Sequence, residues 1–209
     1  AELSLTAGRK AKSTTAYAIA VRYLAAGMSL LPAASFAAHH DLAFGLFLER
    51  AQCEYLTGGF AQAEALLDEA MRHARDNIER TAVYEILIQL LTTKGENARA
   101  VEATLSCLAL FDLTMPREPT EEQVRQAYDD IRAALGDRPI EALLDLPVLT
   151  DRAIGGLLNV LLIAQSALMF TNGNLLVLAI CHMVRLSLRY GNIASAIGGY
   201  GGLGTWYVG

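Results

Sequence analysis

Four histidines, His39, His40, His73 and His182, are the residues best suited to proton transfer or metal binding in this 209-residue chain. None of them has the neighbours that such work needs. His39 and His40 open a helical run with no cysteine or second histidine one turn further on, so no zinc-type pair is presented on one face. His73 stands beside Arg72 and close to Arg75, which reads as a solvated helix face. His182 lies in Cys181-His182-Met183-Val184-Arg185. A phosphate-accepting histidine would be followed by an acidic residue able to act as base for the imidazole, and here Met183 follows. The carboxylate pairs Asp68-Glu69, Glu121-Glu122 and Asp129-Asp130 are sequence neighbours, which point in different directions on a helix and form no catalytic dyad. Gly8-Arg9-Lys10 with Ser13 has the wrong spacing for a phosphate-binding loop, and no strand precedes it. There is no Gly-x-Ser-x-Gly elbow and no His-Glu-x-x-His. The expectation is a chain with no catalytic, cofactor-binding or metal-binding residues, and therefore not an enzyme.

What the chain has instead is a repeat. Gly58, Phe60, Ala63, Leu67 and Ala70 fall on Gly95, Asn97, Ala100, Thr104 and Cys107 under a shift of 37 residues. A small residue ending one amphipathic run, a tight turn, then alanine every three or four residues is the pattern of tetratricopeptide (TPR)-like helix pairs. Such pairs stack into a surface, each touching its neighbours. The helices predicted around the repeat span residues 13–31, 39–56, 60–75, 79–93 and 98–110, with Pro32 as punctuation and one partial unit before it.

After residue 113 the pattern changes. Met115-Pro116-Arg117-Glu118-Pro119 cannot be helix interior, and Thr120 with Gln123 spells a capping box that opens a new helix ending at Gly136. A short helix is predicted over residues 138–146, then Thr150 as a cap, then an uncharged hairpin that stops at Gly191. Five glycines between residues 198 and 204 predict a frayed tail, or one that depends on a partner.

Composition agrees with helices and limits the partners. Apolar residues make up 53% and charged residues 19% of the chain, which excludes disorder. A net charge of −5 without a Lys/Arg block argues against nucleic acid. The cluster Arg9-Lys10-Ala11-Lys12 is short and reads as a solvated helix start. Cys53, Cys107 and Cys181 are far apart within apolar runs, which fits buried thiols in a reducing compartment. No signal-peptide layout opens the chain, and it begins without Met, as a segment of something longer would. Between Arg152 and Arg185 there is no charged residue. The polar Asn159, Gln165 and Ser166 and the break at Thr171-Asn172-Gly173-Asn174 favour a buried hairpin over two membrane spans.

These residues also carry a resemblance. Gly8-Arg9-Lys10-Ala11-Lys12, Ala16-Tyr17 and Tyr23-Leu24-Ala25-Ala26-Gly27 begin it, and Glu49-Arg50-Ala51-Gln52-Cys53-Glu54-Tyr55-Leu56 with Gly58 and Phe60 continue it. Pro119-Thr120, Gln123-Val124, Pro139-Ile140-Glu141, Leu143-Leu144-Asp145-Leu146-Pro147 and Thr150-Asp151 form its clearest part. Asn174-Leu175 and Leu186-Ser187-Leu188-Arg189-Tyr190-Gly191-Asn192 complete it. Together they resemble the helical segment of very large bacterial and cyanobacterial signalling proteins. Those proteins join a Ser/Thr-kinase-like domain and a P-loop ATPase to this segment, followed by GAF and histidine-kinase domains. The resemblance implies that catalysis lies in other domains, and that the segment couples them or receives a partner.

The expected fold is thus all-α, an α-α superhelix of TPR-like helix pairs. Residues 1–113 would hold the pairs, 114–150 a proline-punctuated linker with helices, and 151–209 the apolar hairpin and glycine-rich tail, all as one continuous helical domain. The expected role is a cytoplasmic, non-catalytic protein-interaction or coupling module, its partner a neighbouring ATPase or kinase domain or an external regulator. Arg50, Glu54, Tyr84 and Gln89 are the expected exposed contributors to the partner face. One alternative is a small-molecule sensor with a pocket near Asn159, Gln165 and His182, and the other is a membrane-associated hairpin through residues 154–184.

Overall fold

A computed structural model describes residues 1–32, 34–136 and 145–194. Among these residues the regular structure is helical, apart from one isolated parallel bridge between Val148 and Asn192. The chain divides into two compact units, Ala1–Leu90 and Leu91–Gly209. The boundary falls inside a helix, where no proline or glycine marks it.

The first unit contains α1 (Glu2–Ser13), α2 (Tyr17–Ser29), the single turn α3 (Ser35–Ala38), α4 (His40–Leu56), α5 (Phe60–His73) and most of α6 (Asn77–Thr93). One turn recurs. Between α4 and α5, Gly58 takes φ +85°, its N–H donates to Tyr55 O at 3.1 Å, and the Gly59 N–H donates to Glu54 O at 2.8 Å. After α6, Gly95 takes φ +74°, and the Glu96 N–H donates to Leu91 O at 2.9 Å. Between α1 and α2 the same position is Thr15, at φ +59°, and the Ala16 N–H donates to Ala11 O at 2.9 Å. These paired bonds satisfy the last carbonyls of the outgoing helix, and they require a left-handed residue. Each time an alanine follows at the same distance, Ala20, Ala63 or Ala100, and each is fully buried. The residues before Pro32 are therefore a whole helix hairpin rather than the partial unit expected. Thr15 stands where the other turns carry glycine, and this hid the third copy from the sequence.

Small residues bring the helices of this unit close together. A Cβ on Gly8 would fall 2.6 Å from Leu24 Cδ2, and one on Gly27 would fall 2.7 Å from Leu46 Cδ2. Leu5, Ala20, Leu24, Leu46 and Cys53 form the resulting core. The basic cluster of α1 is not simply solvated. Arg9 Nε donates to Glu49 at 2.8 Å, and Lys12 Nζ bonds both Glu49 and Gln52, tying α1 to α4. Burial pushes the Glu49 carboxyl up, but the bonds from Lys12 and Arg9 outweigh it and hold the group below its ordinary range.

The second unit contains α7 (Asn97–Ala109), α8 (Glu121–Leu135), α9 (Arg152–Thr171) and α10 (Gly173–Tyr190). The capping box at Thr120 and Gln123 forms as expected, and Gly136 ends α8. The short helix predicted over 138–146 lies mostly, and the glycine-rich tail wholly, outside the described residues. Asp151, not Thr150, caps α9, its Oδ1 accepting from the N–H groups of Ala153 and Ile154. Carboxylate acceptors are favoured at the positive end of a helix.

The predicted hairpin is present. α9 packs on α10 and on α7, and Ile131 of α8 meets Val177, Cys181 and Val184 of α10. Among the described residues, α9 is the one helix long and apolar enough to cross a membrane by length and composition. Its open side keeps Leu162, Met169 and Phe170 exposed. At the end of α10, the Leu149 N–H donates to Asn192 O at 2.8 Å and the Asn192 N–H to Pro147 O at 2.7 Å. Gly191 makes this stitch possible, because it takes φ +104° and a Cβ there would collide with the Pro147 carbonyl.

Gly191→Ala is expected to lower stability in urea by about 2–3 kcal/mol, from the strained backbone and the clash together. Thr15→Gly is expected to act in the other direction, raising stability by about 0.5–1 kcal/mol by relieving the left-handed strain. A loss of stability in that variant would show that Thr15 contributes contacts outweighing its strain.

Candidate functional site

In the first unit a cleft of about 630 Å³ is bordered by the end of α2, by α3 and α4, and by the last turn of α5. Pro32 interrupts the chain before α3, and His39 at φ −141° separates α3 from α4, so one isolated turn is held between two long helices. That turn presents Phe36. Its ring lies flat on His73, with centroids 3.9 Å apart and planes 6° from parallel, and it meets Phe47 at 5.1 Å and His40 edge-on at 5.9 Å. Met28, Leu31, Pro32 and Ala37 complete the apolar lining.

The polar side of the cleft comes from the corner between α5 and α6. His73 and Glu69, one turn apart on α5, are bonded through Nε2 at 3.0 Å, and Arg72 holds the other oxygen of Glu69. Ala74 is extended, which ends the helix and swings Arg75 round the corner. Asp76 Oδ1 accepts the Glu79 N–H at 2.9 Å to start α6. Glu79 then accepts from the Arg75 N–H at 2.7 Å, from Arg75 Nη2 at 3.2 Å and from His40 Nε2 at 2.9 Å. Arg75 Nη2 also pairs with Asp41, a fully solvated carboxylate at 88% exposure against 14% for Glu79.

Each imidazole is thus engaged with a carboxylate, and the described bonds join neither ring to a hydroxyl or thiol. Nor do the described residues contain a group of three histidine, cysteine or acidic side chains able to hold a metal. Chemically the cleft offers an apolar floor and charged hydrogen-bond donors. His73 is exposed, as expected, and is also stacked on Phe36 and paired with Glu69. Nothing in the spacing of Phe36, His40 and His73 marks their convergence, since they sit on three different elements.

The residues expected at a partner face stand elsewhere. Arg50 and Glu54 are half-buried and bonded to each other at 3.2 Å, with Arg50 Nη1 reaching Met28 Sδ at 3.6 Å. Tyr84 and Gln89 are half-buried on α6. In the second unit, Gln165 donates to Met183 Sδ at 3.5 Å across the hairpin. Burial, followed by the charge of Arg185, holds the His182 imidazole below its ordinary pKa, against a backbone bond with Thr114 that favours the charged ring. All three cysteines are buried, and burial pushes the Cys53 and Cys181 thiols up to about 11, so neither is a ready nucleophile.

No protein-family model matches the chain. Nor does any solved structure. Over 216 aligned residues, 91% of the chain, it is 20% identical to hybrid signal transduction histidine kinase G of Dictyostelium discoideum. The chain spans 6% of that protein's length.

His182 sets an acid limit on the second unit. Folding disfavours its charged form, so below about pH 6.5 the unfolded chain binds more protons than the native one, and stability falls with pH. Urea unfolding is expected to weaken between pH 7 and pH 5.5 (roughly the ordinary histidine window). His182→Gln should flatten that slope, and an unchanged slope would exclude His182 as its source.

Proposed function

We propose that the chain is a non-catalytic interaction and coupling module of a signal-transduction kinase, working in the cytoplasm. The observation that carries this reading is the likeness to the hybrid histidine kinase, which extends over 91% of the chain and only 6% of that protein. A small all-helical part of a very large signalling protein suits a coupling role better than catalysis. The Dictyostelium source of that relative lends no support to a bacterial setting, so the proposal extends only to the kinase context.

The recurring turn supports a stack of TPR-like pairs as the architecture. Three helix ends, those of α1, α4 and α6, are each closed by a left-handed residue and followed by a buried alanine at the same distance. Within this reading the partner is a neighbouring ATPase or kinase domain or an external regulator. Arg50, Glu54, Tyr84 and Gln89 contribute to the partner face through the parts of their side chains left accessible. The described ion pairs and histidine–carboxylate pairs act as structural ties and do no chemistry of their own.

Sequencing the gene on both sides of this segment tests the reading. A continuous reading frame into kinase or ATPase coding sequence is the expected result. Stop codons close to both ends would make the chain a free-standing helical protein and overturn it.

A further inference from the structure

The cleft of the first unit is unequal in its hydrogen-bonding capacity. Its acceptors are matched: Glu79 takes bonds on both oxygens from His40 and Arg75, and Glu69 takes one on each oxygen from His73 and Arg72. Its donors are not all used. Arg75 spends Nη2 on Asp41 and Glu79, and among the described bonds its Nε and Nη1 hydrogens are uncommitted. A guanidinium has five N–H donors in a flat fork shaped for a carboxylate. Of its two present partners, Asp41 is the exposed one, and an exposed pair is weak enough to exchange readily.

Beside this fork lies an apolar floor of Met28, Leu31, Phe36 and Phe47. The cleft volume of about 630 Å³ falls in the range of small-molecule sites. Rings favour such a floor, because offset and edge-on aromatic contacts add to the burial of apolar area.

We propose that this cleft binds a small carboxylate with an apolar, ring-sized body. The body lies against Phe36 and Phe47, and the carboxylate displaces Asp41 from Arg75. A free aryl-alkanoic acid and the C-terminal aromatic residue of a peptide share this chemistry. The cleft would take either one whether or not the chain is joined to a kinase.

The test is a titration of the whole chain with 3-phenylpropionate, followed by the backbone amide signals of Phe36, His40 and Arg75 in ¹H–¹⁵N spectra. The expected result is saturable shifts at these amides with a Kd of roughly 1 mM or tighter, the affinity that a ligand of this size can reach. The uncharged 3-phenylpropanamide should bind at least about tenfold more weakly, the size of effect expected when a charged hydrogen bond is lost. Arg75→Gln should weaken the acid to the level of the amide. Asp41→Asn, at a solvated surface position where folding is not at risk, should tighten the acid by removing its competitor.

Acetyl-Gly-Phe with a free C-terminus, titrated in parallel, separates the sources. Tighter binding than 3-phenylpropionate assigns the cleft to peptide ends, and weaker binding assigns it to free acids. Equal binding of acid and amide would overturn the proposal. So would no effect of Asp41→Asn, or the absence of saturable shifts with both acids.

Discussion

Three helix hairpins, α1–α2, α4–α5 and α6–α7, depend on one backbone event, a single left-handed residue that ends a helix and lets the next begin. At Thr15, Gly58 and Gly95 the same two N–H groups reach back three and five residues to carbonyls that the outgoing helix leaves unsatisfied. The chain leaves this turn in one direction only, and the next helix starts close enough that its first buried residue must be small. Ala20, Ala63 and Ala100 meet that demand. Leucine in place of Ala20 would push its neighbours apart and disturb the packing of Leu5, Leu24 and Leu46.

The remaining ties are charge to charge, side chain to backbone or backbone to backbone, and they lie where the turn alone leaves the geometry open. Glu49 joins α1 to α4 through Arg9 and Lys12. Asn174 Nδ2 donates to Pro119 O at 2.9 Å, bringing the proline segment to the start of α10. Pro147 and Asn192 stitch the other end of that helix. These residues are the ones that carry the family resemblance in the sequence. Their common role is to hold helices and loops together, which is structural and names no ligand.

The cleft around Phe36 follows from a break in this order. Pro32 and the non-helical His39 prevent α2 from running directly into α4, and the single turn between them is packed by aromatic stacking in place of helix pairing. The α5–α6 corner differs from the repeated turn. It uses an extended Ala74 and an acceptor side chain at Asp76, and this exposes Arg75 beside the aromatic rings. A cavity with mixed polar and apolar walls arises where two unlike connections face each other.

Much of the helix content was legible in the sequence. Local signals determine it: the 37-residue repeat, the capping box at Thr120 and Gln123, and the helix ends at Gly58, Gly95, Gly136 and Gly191. Capping and left-handed turns involve residues within five positions of one another, so their chemistry is written contiguously. The third hairpin was hidden because threonine took the place of glycine, and Asp151 took the cap expected at Thr150. The cleft was not legible at all. Phe36, His40 and His73 meet only because α3, α4 and α5 pack together, and the pairing of Glu79 with both His40 and Arg75 depends on the angle of one corner. Residue type and spacing set the helices, while long-range packing alone decided which side chains faced one another.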